Sequence, residues 1–342
     1  MTRQFGQESA LWAVQQSELR KKAGAKFVHP ERLLFTKEAL EQATHHRVSD
    51  YHADRFPPGV RVLDMTCGIG ADSMALAKHC DLVGAELDPE RAFYAEFNLE
   101  AMSLNGEIRC IDSYELHPNF EFAFADPGRR QGGKRIVDPD EYLPNPSEIA
   151  SRGSHLSLLG IKLSPVVPDS YLESLGGRTE FVSFGRECRE ACVWKSPDRD
   201  YSVSCVHIES GESLASRPIT AVIDEPGEFL YDADPAAVRA HALGNFNAAA
   251  LGDSPGYLTA DHSIESPWLR RYRVLWYGRF DVSDIKSTLK KLDSKTPEIK
   301  QRGTEQDLIA LRKKWILKGD QECIVVLFRV QKSIRAIICR EI

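Results

Sequence analysis

The stretch Val60–Ala77, "VRVLDMTCGIGADSMALA", decides how the chain reads. An apolar run of strand type ends in Asp64. A short loop with Gly68 and Gly70 follows, and then apolar residues recur at helical spacing. A strand feeding a glycine turn and a helix marks a ligand site at the carboxyl end of a doubly wound α/β sheet. Glycine lets the backbone approach the ligand, and the helix start presents free N–H groups to it.

Outward from that turn, short apolar runs alternate with helical stretches. "DLVGAEL" (81–87), "EIRCID" (107–112), "FEFAFADP" (120–127), "LLGIKLSP" (158–165), "TEFVSFG" (179–185) and "YSVSCVHI" (201–208) read as strands. "DPERAFYAEFNLEAMSL" and "PDSYLESLGG" read as helices, while "RECREACVWK" fits either type. The alternation predicts a parallel sheet of seven strands with helices on both faces, the α/β Rossmann-like class. Upstream lies a helical lead-in. One helix covers 8–23. A second starts at Thr36 as N-cap, with Glu38 in its first turn, and runs to Pro57-Pro58. His45, His46 and His52 do not share a face of that helix at i, i+4 spacing, so they read as a polar surface rather than a metal site. From about Ser213 the rhythm becomes that of a separate α+β unit. "GEFLYDADPAAVRAHAL" and "RRYRVLWYGRF" open it. The helix "SDIKSTLKKL", a helix capped by Thr304 and a hairpin around Gln331-Lys332 complete it. The expected division is 1–57, 58–212 and 213–342.

Length and composition agree. The 342 residues, 42% hydrophobic and 27% charged, suit a globular chain with more than one core. No apolar run approaches the roughly 20 residues that a membrane helix needs. The start, "MTRQFGQESALW", lacks the basic-then-apolar pattern of a secretory leader. Eight cysteines without a CxxC pair predict reduced thiols and a cytoplasmic setting, and Cys188 with Cys192 makes a poor metal site. The net charge is −6, yet residues 281–342 hold 14 Lys and Arg against 9 Asp and Glu, a net +5. Such a segment suits either a polyanion or a solvated surface.

Three ligands compete for the glycine turn. A nucleoside triphosphate would need GxxxxGK[ST], which is missing. A dinucleotide would want GxGxxG, but Ser73 replaces the third glycine and Asp72 puts a negative charge where a pyrophosphate would sit. S-adenosylmethionine has a sulfonium cation and no phosphate, so acids are welcome there. Asp64, Glu86 and Asp112 end three successive strands. They suit the methionine ammonium, the ribose hydroxyls and the adenine amine respectively.

"VLDMTCGIGADSMALA", "LVGAELDPERAFYA" and "FADPGRR" resemble class I S-adenosylmethionine-dependent methyltransferases. Within them the chain resembles a bacterial group with a C-terminal THUMP-like domain, whose Rossmann part is similar to trimethylguanosine synthase. "KFVHPERLLFTKEALEQAT" resembles the lead-in of that group, and "FLYDADPAAVRA", "YLTAD" and "EIKQRG" its C-terminal domain. The resemblance implies that Asp64, Cys67, Gly68, Gly70, Glu86 and Asp112 line the cofactor site. It also implies that the lead-in, around Phe35 and Thr36, closes over that site.

The acceptor normally meets the methyl group at the end of the fourth strand. Here that end reads Asp126-Pro127-Gly128-Arg129-Arg130, inside a run of four basic residues and three glycines up to Arg135. Amine methyltransferases often carry [DN]-P-P-[YFW] there; this chain keeps Asp126-Pro127 but lacks the second proline and the aromatic, which argues against amine methylation by that arrangement. Asp126 and the Pro127 carbonyl are expected to orient the acceptor. Arg129 and Arg130 are expected to hold it or its phosphate. Pyrimidine C5 chemistry would need a cysteine after the fifth strand, where Ser164 stands. The expected activity is methylation of a nucleobase in RNA. The rivals are a small-molecule or protein methyltransferase, a binding module without catalysis, and a NAD enzyme. Glu187 and Arg189 are further candidates for the pocket.

Overall fold

The computed structural model describes residues 6–128, 130–131, 134–197, 200–253 and 255–342. The chain forms two compact units, Met1–Val182 with Arg189–Ser202, and Ser183–Cys188 with Val203–Ile342.

The first unit begins with helix α1 (Gln7–Ala23). The expected long second helix is two short ones, α2 (Lys37–Gln42) and α3 (His46–Ala53). The Ala43–His45 link between them is non-helical, with His45 capping α3 by accepting from Arg47 N. Thr36 caps α2 as its sequence position requires, accepting from Ala39 N at 3.1 Å.

The sheet is laid down by β1 (Arg61–Asp64), β2 (Asp81–Glu86), β3 (Glu107–Cys110) and β4 (Phe122–Ala125). Helix α4 (Ala71–Leu76) follows β1, α5 (Pro89–Ala101) follows β2, and α6 (Ser113–Leu116) follows β3. After β4 comes a small hairpin, β5 (Arg130–Gln131) with β6 (Lys134–Arg135). Then follow α7 (Pro146–Arg152), β7 (Leu158–Leu163), α8 (Asp169–Leu175), β8 (Arg178–Phe184) and β9 (Glu187–Lys195). The strand order is β3-β2-β1-β4-β7-β9-β8. The chain winds outward from β1 to β3, then returns to β4 on the other side of β1, so the switch point lies between β1 and β4. The sheet is not wholly parallel. β9, the ambiguous "RECREACVWK", runs antiparallel to β7. Two strands joined by Gly185-Arg186, both at positive φ, can only reverse direction.

The lead-in belongs to this core. Leu33, Leu34, Phe35 and Leu40 are buried, and Phe27 meets Phe35 edge-on at 5.1 Å. Each such apolar side chain contributes about 1.5–3 kcal/mol when fully buried. Two amides stitch the segment down. Gln16 donates to Phe35 O at 2.8 Å and accepts from Phe35 N at 3.0 Å. Asn98 of α5 does the same for Leu34 and also donates to Ile69 O in the glycine turn.

The second unit opens with the antiparallel pair β10 (Ser202–His207) and β11 (Glu212–Ala215). It continues with β12 (Val222–Ile223), β13 (Phe229–Ala233), the short helix α9 (Pro235–Arg239), β14 (Ala249–Leu251) and β15 (Tyr257–Ala260). β16 (Leu269–Arg279), α10 (Val282–Lys291), β17 (Glu298–Gln301), α11 (Leu308–Lys314), β18 (Ile324–Val330) and β19 (Ser333–Glu341) complete it. Strands β12 to β19 form one sheet in the order β12-β14-β15-β13-β16-β19-β18-β17. Alternation along β18 serves both faces. Val325 and Leu327 pack with Ile285, Leu289 and Trp315, while Val326 and Phe328 pack with Tyr257 and Tyr272. Asp307, not Thr304, caps α11, because the chain enters the helix three residues later than the pattern suggested. Among the described residues no helix is long and apolar enough to cross a membrane.

Candidate active site

A cavity of about 570 Å³ opens at the carboxyl ends of β1 to β4, beside the switch point. That size falls in the range of small-molecule and cofactor sites. Asp64, Cys67, Gly68, Glu86, Asp112 and Asp126 all line it. Gly68 (φ 56°) and Gly70 (φ 89°) adopt left-handed backbone that makes the turn possible. Gly70 sits behind the turn, where a Cβ would meet Ala95 at about 3.5 Å, and does not line the cavity.

The acids are held in place. Asp64 is buried and accepts from the Ser73 hydroxyl at 2.6 Å and from Thr66 N at 3.2 Å. Burial pushes its carboxyl up to about 7. Glu86 accepts from Gly68 N at 3.0 Å and Asp88 N at 2.9 Å, with Arg91 at 3.2 Å. Asp112 is exposed, two residues past the end of β3, and accepts from Tyr114 N. Phe35 and Thr36 do not reach the cavity; one is core and the other is the α2 cap. The lead-in meets the cavity through Glu38, Ala39, Gln42, Ala43 and Thr44 instead, one helical turn further on.

Asp126 takes its backbone N–H bond to Thr66 Oγ1 at 2.7 Å, and its Oδ2 accepts from Lys162 Nζ at 2.6 Å. Burial raises its carboxyl above the ordinary range, and the Lys162 ammonium works against that rise. A second, smaller pocket adjoins the first. It is lined by Pro127, Tyr142, Lys162, Ser164, Arg189 and Glu190, and shares Gln42, Asp126 and Gly128 with the large cavity. Arg129 lies outside the described residues. Arg130 begins β5, and its side chain lies outside the described part of the structure.

Sequence reasoning missed the polar network beneath these pockets. His52 is not at the surface but fully buried. It donates Nδ1–H to Asp72 at 2.8 Å and Nε2–H to Glu190. Burial works against its charge, but Glu190 and Asp72 outweigh that and hold it up to about 9. Asp72 also accepts from the Thr44 hydroxyl at 2.7 Å. Burial opposes its ionisation as well, and His52, Lys162 and Thr44 more than offset this, so Asp72 stays a carboxylate. A lysine inside the apolar run "LLGIKLSP" was the available signal for Lys162. Among the described residues no group of three or more His, Cys, Asp or Glu is placed to hold a metal ion.

Carboxylates at the ends of β1 and β2 and just beyond β3, around a glycine turn and next to an anionic helix start, suit a cationic sulfonium nucleoside and repel a pyrophosphate. This fold and site define a class I methyltransferase. A Mycobacterium tuberculosis CDC 1551 / Oshkosh protein described as an uncharacterized S-adenosylmethionine-dependent methyltransferase is 30% identical over 362 aligned positions. The alignment covers 99% of each chain, and the counterpart in strain H37Rv matches equally. The chain belongs to the S-adenosylmethionine-dependent methyltransferases, and its cofactor is S-adenosylmethionine. A solved Porphyromonas gingivalis W83 protein described as a candidate methyltransferase shares the fold. Its TM-score is 0.77 at 20% identity, over 98% of this chain and 89% of that one. Residues 269–341, β16 to β19, match the family described as THUMP domain-like.

Proposed function

We propose that this methyltransferase acts in the cytoplasm on a nucleobase in RNA, and that Asp126 receives the acceptor group. The observation that carries the reading is the position of Asp126 on the wall shared by the two pockets. A cofactor in the large cavity and a base edge in the small one would meet there. Asp64, Glu86 and Asp112 would hold the methionine ammonium, ribose and adenine ends. Bound S-adenosylmethionine supplies an electrophilic methyl group. The protein's work is to align the acceptor with it and to manage one proton. Asp126 and the Pro127 carbonyl accept N–H groups of the acceptor. The proton that the acceptor nitrogen gives up on methylation would pass to the Asp126 carboxylate.

RNA is favoured by the THUMP domain-like match and the +5 charge of residues 281–342. On α10 and α11, Lys290, Lys291, Arg312, Lys313 and Lys314 are exposed. The test is transfer of labelled methyl from S-adenosylmethionine into a cell extract of the source organism lacking the gene, separated into RNA, protein and small molecules. Label in RNA, lost in Asp126→Ala, is the expected result. Label only in protein or small molecules overturns the substrate.

A further inference from the structure

One hydrogen-bonded line runs from the reaction site into the core. Lys162 Nζ donates to Asp126 Oδ2 at 2.6 Å and to Thr44 Oγ1 at 2.9 Å. An ammonium only donates, so Thr44 must turn a lone pair to Lys162 and its single proton to Asp72, 2.7 Å away. Asp72 is in turn fixed by the charged His52, which Glu190 holds from the far side. The donor order is thus settled at every link. Lys162 itself is only 13% exposed along its side chain.

We propose that Lys162 is a positioning residue for methyl transfer. Aimed by Thr44 and Asp72, it occupies one oxygen of Asp126, keeps that group a carboxylate, and leaves the other oxygen for an N–H of the acceptor. The proposal rests on the reading of Asp126 given above and narrows the substrate to an acceptor that donates an N–H, rather than a carbon or thiol nucleophile. It also gives the lead-in, which carries Thr44, a part in the reaction beyond covering the cofactor.

The surroundings explain why a cation is needed. Asp126 faces the acids Asp64, Asp72 and Glu190 from β1, α4 and β9, while Lys162 comes from β7 and Arg189 lines the same small pocket. Burial and these acids oppose ionisation of Asp126, and Lys162 opposes them. An opposite charge at this range shifts a carboxyl group by about 1–3 pH units. Losing it moves the acid limb of the reaction upward by that amount.

The experiment uses full-length protein and two readouts. One is titration of the Asp126 carboxyl carbon by 13C NMR, assigned with Asp126→Asn. The other is the pH profile of single-turnover methyl transfer to RNA, with calorimetric S-adenosylmethionine affinity as a check on the fold. Lys162→Met is expected to raise both the titration midpoint and the acid limb by about 1–3 pH units, with rate recovered at high pH. Lys162→Arg retains the wild-type midpoint. Thr44→Val shifts it in the same direction by less, and Thr44→Ser restores it. A Lys162→Met protein that binds cofactor normally and keeps the wild-type midpoint overturns the proposal. If Lys162→Met does not fold, an unchanged midpoint in Thr44→Val overturns it equally. Full activity in Asp126→Asn would instead sink the role given to Asp126, whatever Lys162 does. The titration reads the lysine's effect even where RNA is not the acceptor.

Discussion

Replacing His52 by Gln tests the buried network through its pH dependence. His52 has no exposed surface and sits between Asp72 and Glu190. Its imidazole is raised from 6.5 to about 9. Folding therefore strengthens proton binding at this site. The stabilisation is fully present below pH 6.5 and is lost as pH rises through 9. A rise of that size corresponds to about 3 kcal/mol, or about 6–12 °C in Tm for a domain of this size. Other groups titrate nearby. Burial raises Asp64 from 3.8 to about 7, so its contribution falls mainly below neutrality, and the buried thiols of Cys67 and Cys192 add a decline above pH 9. The difference between wild type and His52→Gln cancels these. Urea unfolding at intervals from pH 6 to 9.5 should show a wild-type loss about 3 kcal/mol greater than that of the variant. At pH 6 the variant should be less stable by about 3–5 kcal/mol, because two carboxylates stay buried without their cation. Parallel pH profiles for the two proteins would refute the charged state assigned to His52.

Three further outcomes follow from the site. Glu86→Ala should weaken S-adenosylmethionine binding by about 10- to 100-fold in calorimetry, the worth of charge-assisted bonds to ribose. Gly70→Val places a β-branched residue at φ 89° against Ala95 and should cost at least about 1–2 kcal/mol in urea unfolding. Changing Lys290, Lys291, Arg312 and Lys313 together to Glu should weaken RNA binding and flatten its salt dependence while leaving cofactor affinity unchanged.

The part of the cavity around the glycine turn was legible because its grammar is local. A strand, a glycine turn and a helix within 18 residues fix where Asp64 points, and the same logic repeats for Glu86 after β2. The cap at Thr36 was likewise a short-range signal, and it holds. What the cap could not show was which lead-in residues face the cavity, since that depends on Gln16 and Asn98 reaching across from other helices. The break at Ala43–His45 that delivers Thr44 to the site was hidden for the same reason. The contacts behind Asp126, itself legible at the end of β4, are non-local throughout. Lys162 lies 118 residues from Thr44, and His52 lies 138 from Glu190. No periodicity links such positions, so His52 looked like one more polar residue on a helix. Asp126 at a strand end and Asp72 at a helix start, the latter read as a charge hostile to pyrophosphate, were the members of this line visible in advance.

The most direct measurement of the central claim is a mass-spectrometric inventory of methylated nucleosides in total RNA from the source organism. It compares cells with the gene, without it, and with only the Asp126→Ala allele. The account predicts one N-methylated nucleoside that disappears in the second and third and returns with the intact gene. An unchanged inventory across all three would contradict RNA as the substrate.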